Sequence, residues 1–402
     1  MAAAGPLAGL KVVELAHIMA GPVCGRMLAD MGADVIKVER VPGGDTARGF
    51  IPPDVDGEPA AFMMMNRNKR GIAVDLKAPE GQTIVRRLLE DADVVIENYR
   101  KGTMERLGFG YAALSELNPG LVYCEISGFG RTGPLADLGG FDLVAQGMSG
   151  LMSITGEGPE RPPVKCGPPV TDITAGILAA MGVLAAVVER GRTGKGQRVD
   201  TSLFEAGITQ TFWQSAIALA TGESPGPMGS AHPLNAPYEA FQTADGWLTL
   251  GGSSQAVWKR LPEVLGRPEL LEDPRFDENH DRMANRDALF AALSEAFAKR
   301  TTADWLERLE AAGVPAGPVL SIGEMLAHPQ TLARGMVVKT QHARLGEVET
   351  LGFPVKFGDS PAGVERGAPV YGQHTAEVLE ELGYAGADIE RLASNGTVVC
   401  PL

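Results

Sequence analysis

Short runs that are apolar on both faces alternate with amphipathic segments through the first part of the chain. LKVVELA (10–16) reads as a buried strand, GPVCGRMLADMGA (21–33) as a helix, and DVIKVER (34–40) as the next strand, a βαβ unit of ordinary length. The pattern then repeats. PEGQTIVRRLLEDA (79–92) is amphipathic with Pro at its start, while DVVIENY (93–99) and LVYCEIS (121–127) are further strands. Such alternation predicts a parallel α/β domain. After the basic turn RGRTGKGQ (190–197), VDTSLFEAGITQTFWQSAIAL reads as strand then helix, and the Gly/Pro-rich TGESPGPMGSAHPLNAP as a linker or mobile loop. WLTLGG (247–252) reads as a strand ahead of charged helical segments such as RDALFAALSEAFAKR and TADWLERLEAAG. The expected organisation is a large domain over 1–205, a linker over 206–224, a smaller domain over 225–325 and a return to the large domain over 326–402.

One segment breaks the pattern. From Gly167 to Val188 the only charged side chain is Asp172, where an apolar helix should begin. Asp is a favoured N-cap, and Pro168 and Pro169 cannot be helix interior, so a capping role stands beside a chemical one. Ile173 to Val188 falls short of the roughly 20 apolar residues of a membrane span, which favours a buried core helix.

Composition narrows the function. A chain of 402 residues with a formal net charge of -14 suits two domains and disfavours nucleic acid or an anionic membrane as main partner. Cys24, Cys124, Cys166 and Cys400 are far apart, with no metal-ligand spacing, so reduced thiols and no metal are expected. MAAAGPLAGLKVVELA has no signal-peptide pattern, and the expected location is the cytoplasm.

GFGRTG (128–133) satisfies G-x-G-x-x-G, but Gly133 runs into PLADLGGFD instead of opening a helix, so it reads as a mobile loop and not a dinucleotide site. Ligands of open parallel sheets bind beyond the carboxyl ends of the strands. His17, Arg40, Asn98, Tyr99 and Arg100 fall there, and with Lys77 and Arg106 they give an acidic chain a cationic cluster suited to a phosphorylated ligand. Arg48 and Arg67 are spare cations near the same place. Gly251 and Gly252 either make a turn or offer bare N–H groups to a developing oxyanion. There is no nucleophile elbow, H-E-x-x-H or Walker loop, which leaves carboxylates as the leading catalytic candidates.

These residues resemble a known family. VVELAHIMAGPVCGRMLADMGADVIKVERVPGGD, NRNKRGIAVDLKAPEG, ENYRKGTMERLGFG, ISGFGRTGP, GFDLVAQGMSGLM, PVTDITAG, GRTGKGQ and GVPAGPV with the following HPQ and ARGM are similar, in order, to class III coenzyme A transferases of the formyl-CoA transferase and CaiB/BaiF type. The resemblance implies a large Rossmann-like domain plus a smaller α+β domain in an interlocked homodimer. It also implies transfer of CoA from an acyl-CoA donor, succinyl-CoA among the candidates, to a free carboxylic acid, with acyl-CoA as substrate and no permanently bound cofactor.

By the same resemblance Asp172 is the nucleophile that forms an anhydride and then an aspartyl-CoA thioester. A carboxylate of ordinary pKa is ionised at neutral pH and needs no general base. Gly251 and Gly252 match a glycine-rich lid, shortened here by Ser253 and Ser254. Ile18, Met19, Arg40, Val74, Lys77, Asn98, Tyr99, Arg100 and Arg106 match CoA contacts, and His17, Phe141 and Asp142 the substrate pocket. Met19 and Gly139 replace a glutamine and a lysine of formyl-CoA transferase, which argues against formate and oxalate as the natural pair. Related 2-methylacyl-CoA racemases use Gly-His-Asp where this chain has Gly140-Phe141-Asp142, and Phe transfers no proton. A non-catalytic acyl-CoA binding protein, with Asp172 as a cap, is the remaining alternative.

Overall fold

The apolar strands are buried as parallel strands with both faces covered. In the computed structural model, which describes residues 5–401, the strands are β1 Lys11–Glu14, β2 Asp34–Arg40, the short pair β3 Asp54–Val55 and β4 Glu58–Pro59, β5 Arg70–Val74, β6 Val94–Glu97, β7 Val122–Ser127, β8 Arg198–Ser202, β9 Tyr238–Gln242, β10 Trp247–Gly251, β11 Ala316–Pro318, β12 Val337–His342, β13 Gly346–Leu351 and β14 Val398–Val399. The largest sheet runs β14-β5-β2-β1-β6-β7-β8, and every pairing in it is parallel except β14 with β5. Its parallel strands therefore lie in the doubly wound order, which reverses between β1 and β6 and opens a crevice at their carboxyl ends.

Successive strand residues go to opposite faces. Val12, Val35 and Ile96 pack with Cys24 and Leu28 of the helix Ala20–Asp30 and with Ala175, Ala179 and Val183 of the helix Val170–Thr193. Val13, Ile36 and Val95 pack on the other side with Ile84 and Leu88 of Pro79–Glu90 and with Val378 and Ile389 of the C-terminal helices. The two helices of the first layer approach closely. A Cβ on Gly176 would lie 2.6 Å from the Ala20 carbonyl oxygen, so only glycine permits this packing.

The chain divides into two compact units, residues 1–150, 166–210 and 329–402 forming the first and residues 151–165 and 211–328 the second. The second contains the antiparallel sheet β11-β10-β9 over a core that includes Phe241, Trp258, Phe297 and Trp305, with the Trp305 Nε1–H donating to the Phe297 carbonyl at 2.8 Å.

Three expectations are corrected. Residues 206–224 are not a linker, because the helices Leu203–Gln210 and Phe212–Thr221 run through them and the units divide between Gln210 and Thr211. The apolar run there has length enough for helix, and Gly222 at φ 77° ends it. Leu151–Lys165 belongs to the second unit although it lies within the span expected for the large domain. The apolar helix is 24 residues long, starting at Val170 and extending past Val188 through charged residues to Gly194 at φ 72°. That length and apolarity would cross a membrane. In this fold one face packs on the sheet and on Ala20–Asp30, while Ile177, Met181 and Val188 are exposed.

Candidate active site

The crevice at the reversal of strand order is a cleft of about 270 Å³. The turn after β1 supplies His17, Ile18 and Met19, and the turn after β6 supplies Asn98, Tyr99 and Arg100. Phe141 and Asp172 complete the part of the wall that concerns the chemistry.

Asp172 is not the N-cap. The helix begins at Val170 after Pro169, so Asp172 is its third residue, and its carboxylate has no hydrogen bond or ion pair among the described residues. The capping falls to Asp142, across a gap of thirty residues. Asp142 Oδ1 accepts from the Thr171 N–H at 3.0 Å and the Thr171 hydroxyl at 2.7 Å, while Oδ2 accepts from Gln146 Nε2 at 2.7 Å. Burial, reinforced by the nearby Asp142 charge, pushes the Asp172 carboxyl up to about 7. The expectation of an ordinary carboxylate is therefore corrected, because at neutral pH the group sits near the midpoint of its titration.

The turn after β1 is held at successive backbone groups. Asn98 pairs with His17 in both directions, Oδ1 accepting from the His17 N–H at 3.0 Å and Nδ2 donating to the His17 carbonyl at 2.8 Å. The Ile18 N–H donates to Asp45 Oδ1 at 2.9 Å, and Lys37 Nζ donates to the Ala16 carbonyl at 2.9 Å. Ile18 has φ 64°, a left-handed conformation that a β-branched residue adopts only at a cost of order 1–3 kcal/mol. What holds it is a buried ion cluster. Lys37 pairs with Asp45 at 2.8 Å and Glu14 at 3.0 Å, and Lys69 pairs with the second Glu14 oxygen at 2.7 Å, all four side chains being essentially unexposed. Asp45, although buried, is held down to about 2 chiefly by the Lys37 charge and bond and by the N–H groups of Ala47 and Ile18. Burial lowers the pKa of Lys69 to about 8 in spite of Glu14. His17 is likewise lowered by burial, which favours its neutral ring, tilted against Tyr99 with centroids 5.6 Å apart.

GFGRTG is anchored, in contrast to the mobile loop expected. Glu97 and Glu125 are register partners on β6 and β7, two carboxylates side by side toward the carboxyl ends of interior strands. Buried Arg131 pairs with both, meeting Glu97 closely and Glu125 at 3.2 Å, and donates to the Tyr99 carbonyl at 3.0 Å. Burial pushes Glu97 up to about 7 despite the Arg131 charge, with Glu125 adding to the rise.

The remaining candidates separate. Arg40 lines a smaller pocket with His17 and Tyr99, and its Nε donates to the Gly44 carbonyl at 3.0 Å. Val74 is fully buried, Lys77 is exposed and Arg106 donates to the Thr103 hydroxyl at 2.9 Å; none of the three lines the cleft. Asp142 lies behind the wall, committed to Thr171 and Gln146. Arg48 and Arg67 are not spare. Arg48 is bidentate to Glu39 at 2.7 and 2.8 Å and lies 3.6 Å over the Phe62 ring, and Arg67 holds Asp30 at 2.6 Å. Gly251 and Gly252 lie in the second unit. Their N–H groups donate to the carbonyls of Pro315 and Pro237 at 2.8 and 3.0 Å, so they are not bare donors here. No cluster of three potential metal-ligating acidic, His or Cys side chains occurs among the described residues.

Sequence reasoning missed Arg131, Asp45 and the Glu14, Lys37 and Lys69 cluster. The available signal was charge inside apolar strands, in KVVE and DVIKVER, since a charge buried in a sheet needs a partner.

A doubly wound sheet with its ligand crevice at the point of strand reversal defines the class of α/β protein. Residues 7–375 match the sequence model of CoA-transferase family III. The chain belongs to that family and is a CoA-transferase. It is 42% identical over 395 residues to the succinate–glutarate CoA-transferase of Agrobacterium fabrum, covering 97% of this chain and 98% of that one. It is 36% identical over 395 residues to the succinyl-CoA:glutarate CoA-transferase of Homo sapiens, covering 98% and 90%. A crystal structure of a CaiB/BaiF family protein from Brucella suis superposes with a TM-score of 0.84 at 42% identity, covering 94% of this chain and all of that one.

Proposed function

We propose that this enzyme transfers CoA from an acyl-CoA donor, with succinyl-CoA the first to test, to a free carboxylic acid through covalent intermediates on Asp172. The observation that carries the reading is the Asp172 carboxylate itself, unpartnered in the cleft wall while Asp142 does the capping. The names of the relatives support succinyl-CoA as donor and an organic acid as acceptor.

Ionised Asp172 attacks the thioester carbonyl, forming an acyl-aspartyl anhydride and expelling CoA thiolate. The thiolate attacks the aspartyl carbonyl, releasing the donor acid and leaving an aspartyl-CoA thioester. The acceptor carboxylate attacks that thioester, expelling thiolate again, and the thiolate attacks the acceptor's acyl carbon to give the new acyl-CoA and free Asp172. No proton moves in any step, which fits a nucleophile without a hydrogen-bonded base. A carboxylate whose pKa is raised is also more basic, and so a better nucleophile once ionised.

In this reading Ile18 and Met19 face the thioester on a turn that Asn98, Asp45 and Lys37 already hold, so that it needs no reorganisation during reaction. Arg40, Lys77, Asn98, Tyr99 and Arg106 contact CoA, with Val74 fully buried beneath them; His17 and Phe141 border the substrate, and Asp142 acts from behind through Asp172. Gly251 and Gly252 serve as a lid against water. The enzyme works in the cytoplasm as a homodimer, which the exposed Ile177, Met181 and Val188 and the helix Phe212–Thr221, with no buried residue, support.

The test is mass spectrometry of CoA thioesters after incubation of succinyl-CoA with a panel of carboxylic acids. New thioesters should appear with the native enzyme and vanish with Asp172→Asn; transfer that survives the substitution contradicts the assignment.

A further inference from the structure

With Arg48 and Arg67 committed, the cations of the cleft wall reduce to one unspent group. Arg131 is buried between Glu97 and Glu125, Lys101 lies 3.4 Å from Asp137, and His17 is biased to its neutral form. Arg100 also lines the cleft, and its guanidinium has no hydrogen bond, ion pair or ring contact among the described residues.

Yet Arg100 has a defined seat. A Cβ built on Gly139 would lie 3.4 Å from its Nη2, 3.5 Å from Nε and 3.6 Å from Cζ. Three guanidinium atoms at nearly equal distance mean that the plane lies flat across the open side of the glycine, with the donor edge left free. Two residues before Phe141 and three before Asp142, Gly139 is in the segment that caps the helix carrying Asp172. The neighbouring Gly140 packs on Gly128 so tightly that a Cβ there would lie 2.5 Å from the Gly128 Cα, which fixes this backbone against the carboxyl end of β7. A flat guanidinium with an unspent edge matches the two oxygens of a carboxylate.

We propose that Arg100, seated on Gly139, binds the second carboxylate of a dicarboxylic acid whose first carboxylate reacts at Asp172. This rests on the transferase reading above, and it gives Arg100 a role in selecting the acid in place of the CoA contact implied by sequence resemblance. Near the Asp172 carboxylate a second negative charge on the acid is unfavourable unless a fixed cation meets it, so the arginine decides whether a dicarboxylate is accepted.

The test compares acids of equal length that differ only in the second carboxylate, glutarate against valerate and succinate against butyrate. In a ping-pong reaction the acceptor's kcat/KM is independent of the donor. The native enzyme should favour the dicarboxylate of each pair, and Arg100→Gln should lower that ratio by roughly 10- to 100-fold, the worth of a hydrogen bond between charged groups. Gly139→Leu, whose side chain takes the guanidinium's seat while sparing the charge, should lower the same ratio, and the double variant should lower it little further. Equal losses for both members of a pair, a native enzyme without preference, or a rise confined to the KM of the CoA thioester would overturn the proposal. Transfer to both kinds of acid without selectivity defeats this inference alone, whereas no transfer to any acid defeats the transferase reading with it.

Discussion

Asp142 caps the helix in which Asp172 is the third residue, and it does so by accepting both hydrogen bonds that Thr171 offers, at 3.0 and 2.7 Å. The division of labour has an electrostatic side. The Asp142 charge, next to burial, is the cause that lifts the Asp172 carboxyl to about 7. One carboxylate orders the helix start and the other stays unpartnered in the cleft.

The pH dependence of the rate follows from this. The reactive form of Asp172 is ionised, so turnover should rise with pH through about 7 and level off above it. Asp142→Asn keeps an acceptor for Thr171 but removes the charge, and the rising limb should move to lower pH in a kcat/KM profile. A limb that stays in place would remove Asp142 from the electrostatics of the site.

Stability should move in the opposite sense. Asp172 has a folded-state pKa raised above its unfolded value of about 3.9, so the folded state binds the extra proton between the two values. Stability therefore falls as pH rises through that window, by up to about 4 kcal/mol once pH exceeds 7. Asp172→Asn removes the titration, and its melting temperature should exceed that of the native protein at pH 8 while matching it near pH 4. Equal melting temperatures at both pH values would mean that the carboxylate carries no such penalty.

Arg131 is expected to be structurally indispensable to the cleft. Arg131→Ala takes the buried cation from Glu97 at the end of β6 and leaves its register partner Glu125 only Arg198, a loss of about 3–5 kcal/mol for a broken buried ion pair. Because burial already raises Glu97 to about 7, the variant's deficit should be smaller at pH 5, where Glu97 takes up a proton, than at pH 8. Urea unfolding at the two pH values measures this.

Asp45 is expected to act on catalysis through Ile18. Asp45→Asn keeps an oxygen for the Ile18 N–H but weakens the hold of Lys37, whereas Asp45→Ala removes both. Steady-state kinetics should show kcat falling in the order native, Asn, Ala, with the Ala variant also less stable by about 3 kcal/mol or more. Loss of stability with kcat unchanged would confine the cluster to a structural role.

Much of this architecture was legible from residue pattern. DVIKVER is β2 over its whole length, and the turn residues after β1 and β6 meet at one cleft because the sheet order places those strands side by side. The rest depended on contacts distant in sequence. Asp172 looked like a cap because Asp142, which holds that role, lies thirty residues away. Arg48 and Arg67 looked available because Glu39 and Asp30 meet them only in the folded chain. Arg131 was hidden inside a glycine motif whose local sequence suggested mobility, and its two partners are on separate strands.

The central claim is that Asp172 becomes covalently acylated. The direct measurement is peptide mass spectrometry across residues 166–189 after incubation with succinyl-CoA and a hydroxylamine quench. The account predicts a hydroxamate at Asp172 that appears only when the thioester is present, since hydroxylamine traps an anhydride or thioester and spares a free carboxylate. Active turnover with Asp172 unmodified throughout would contradict it.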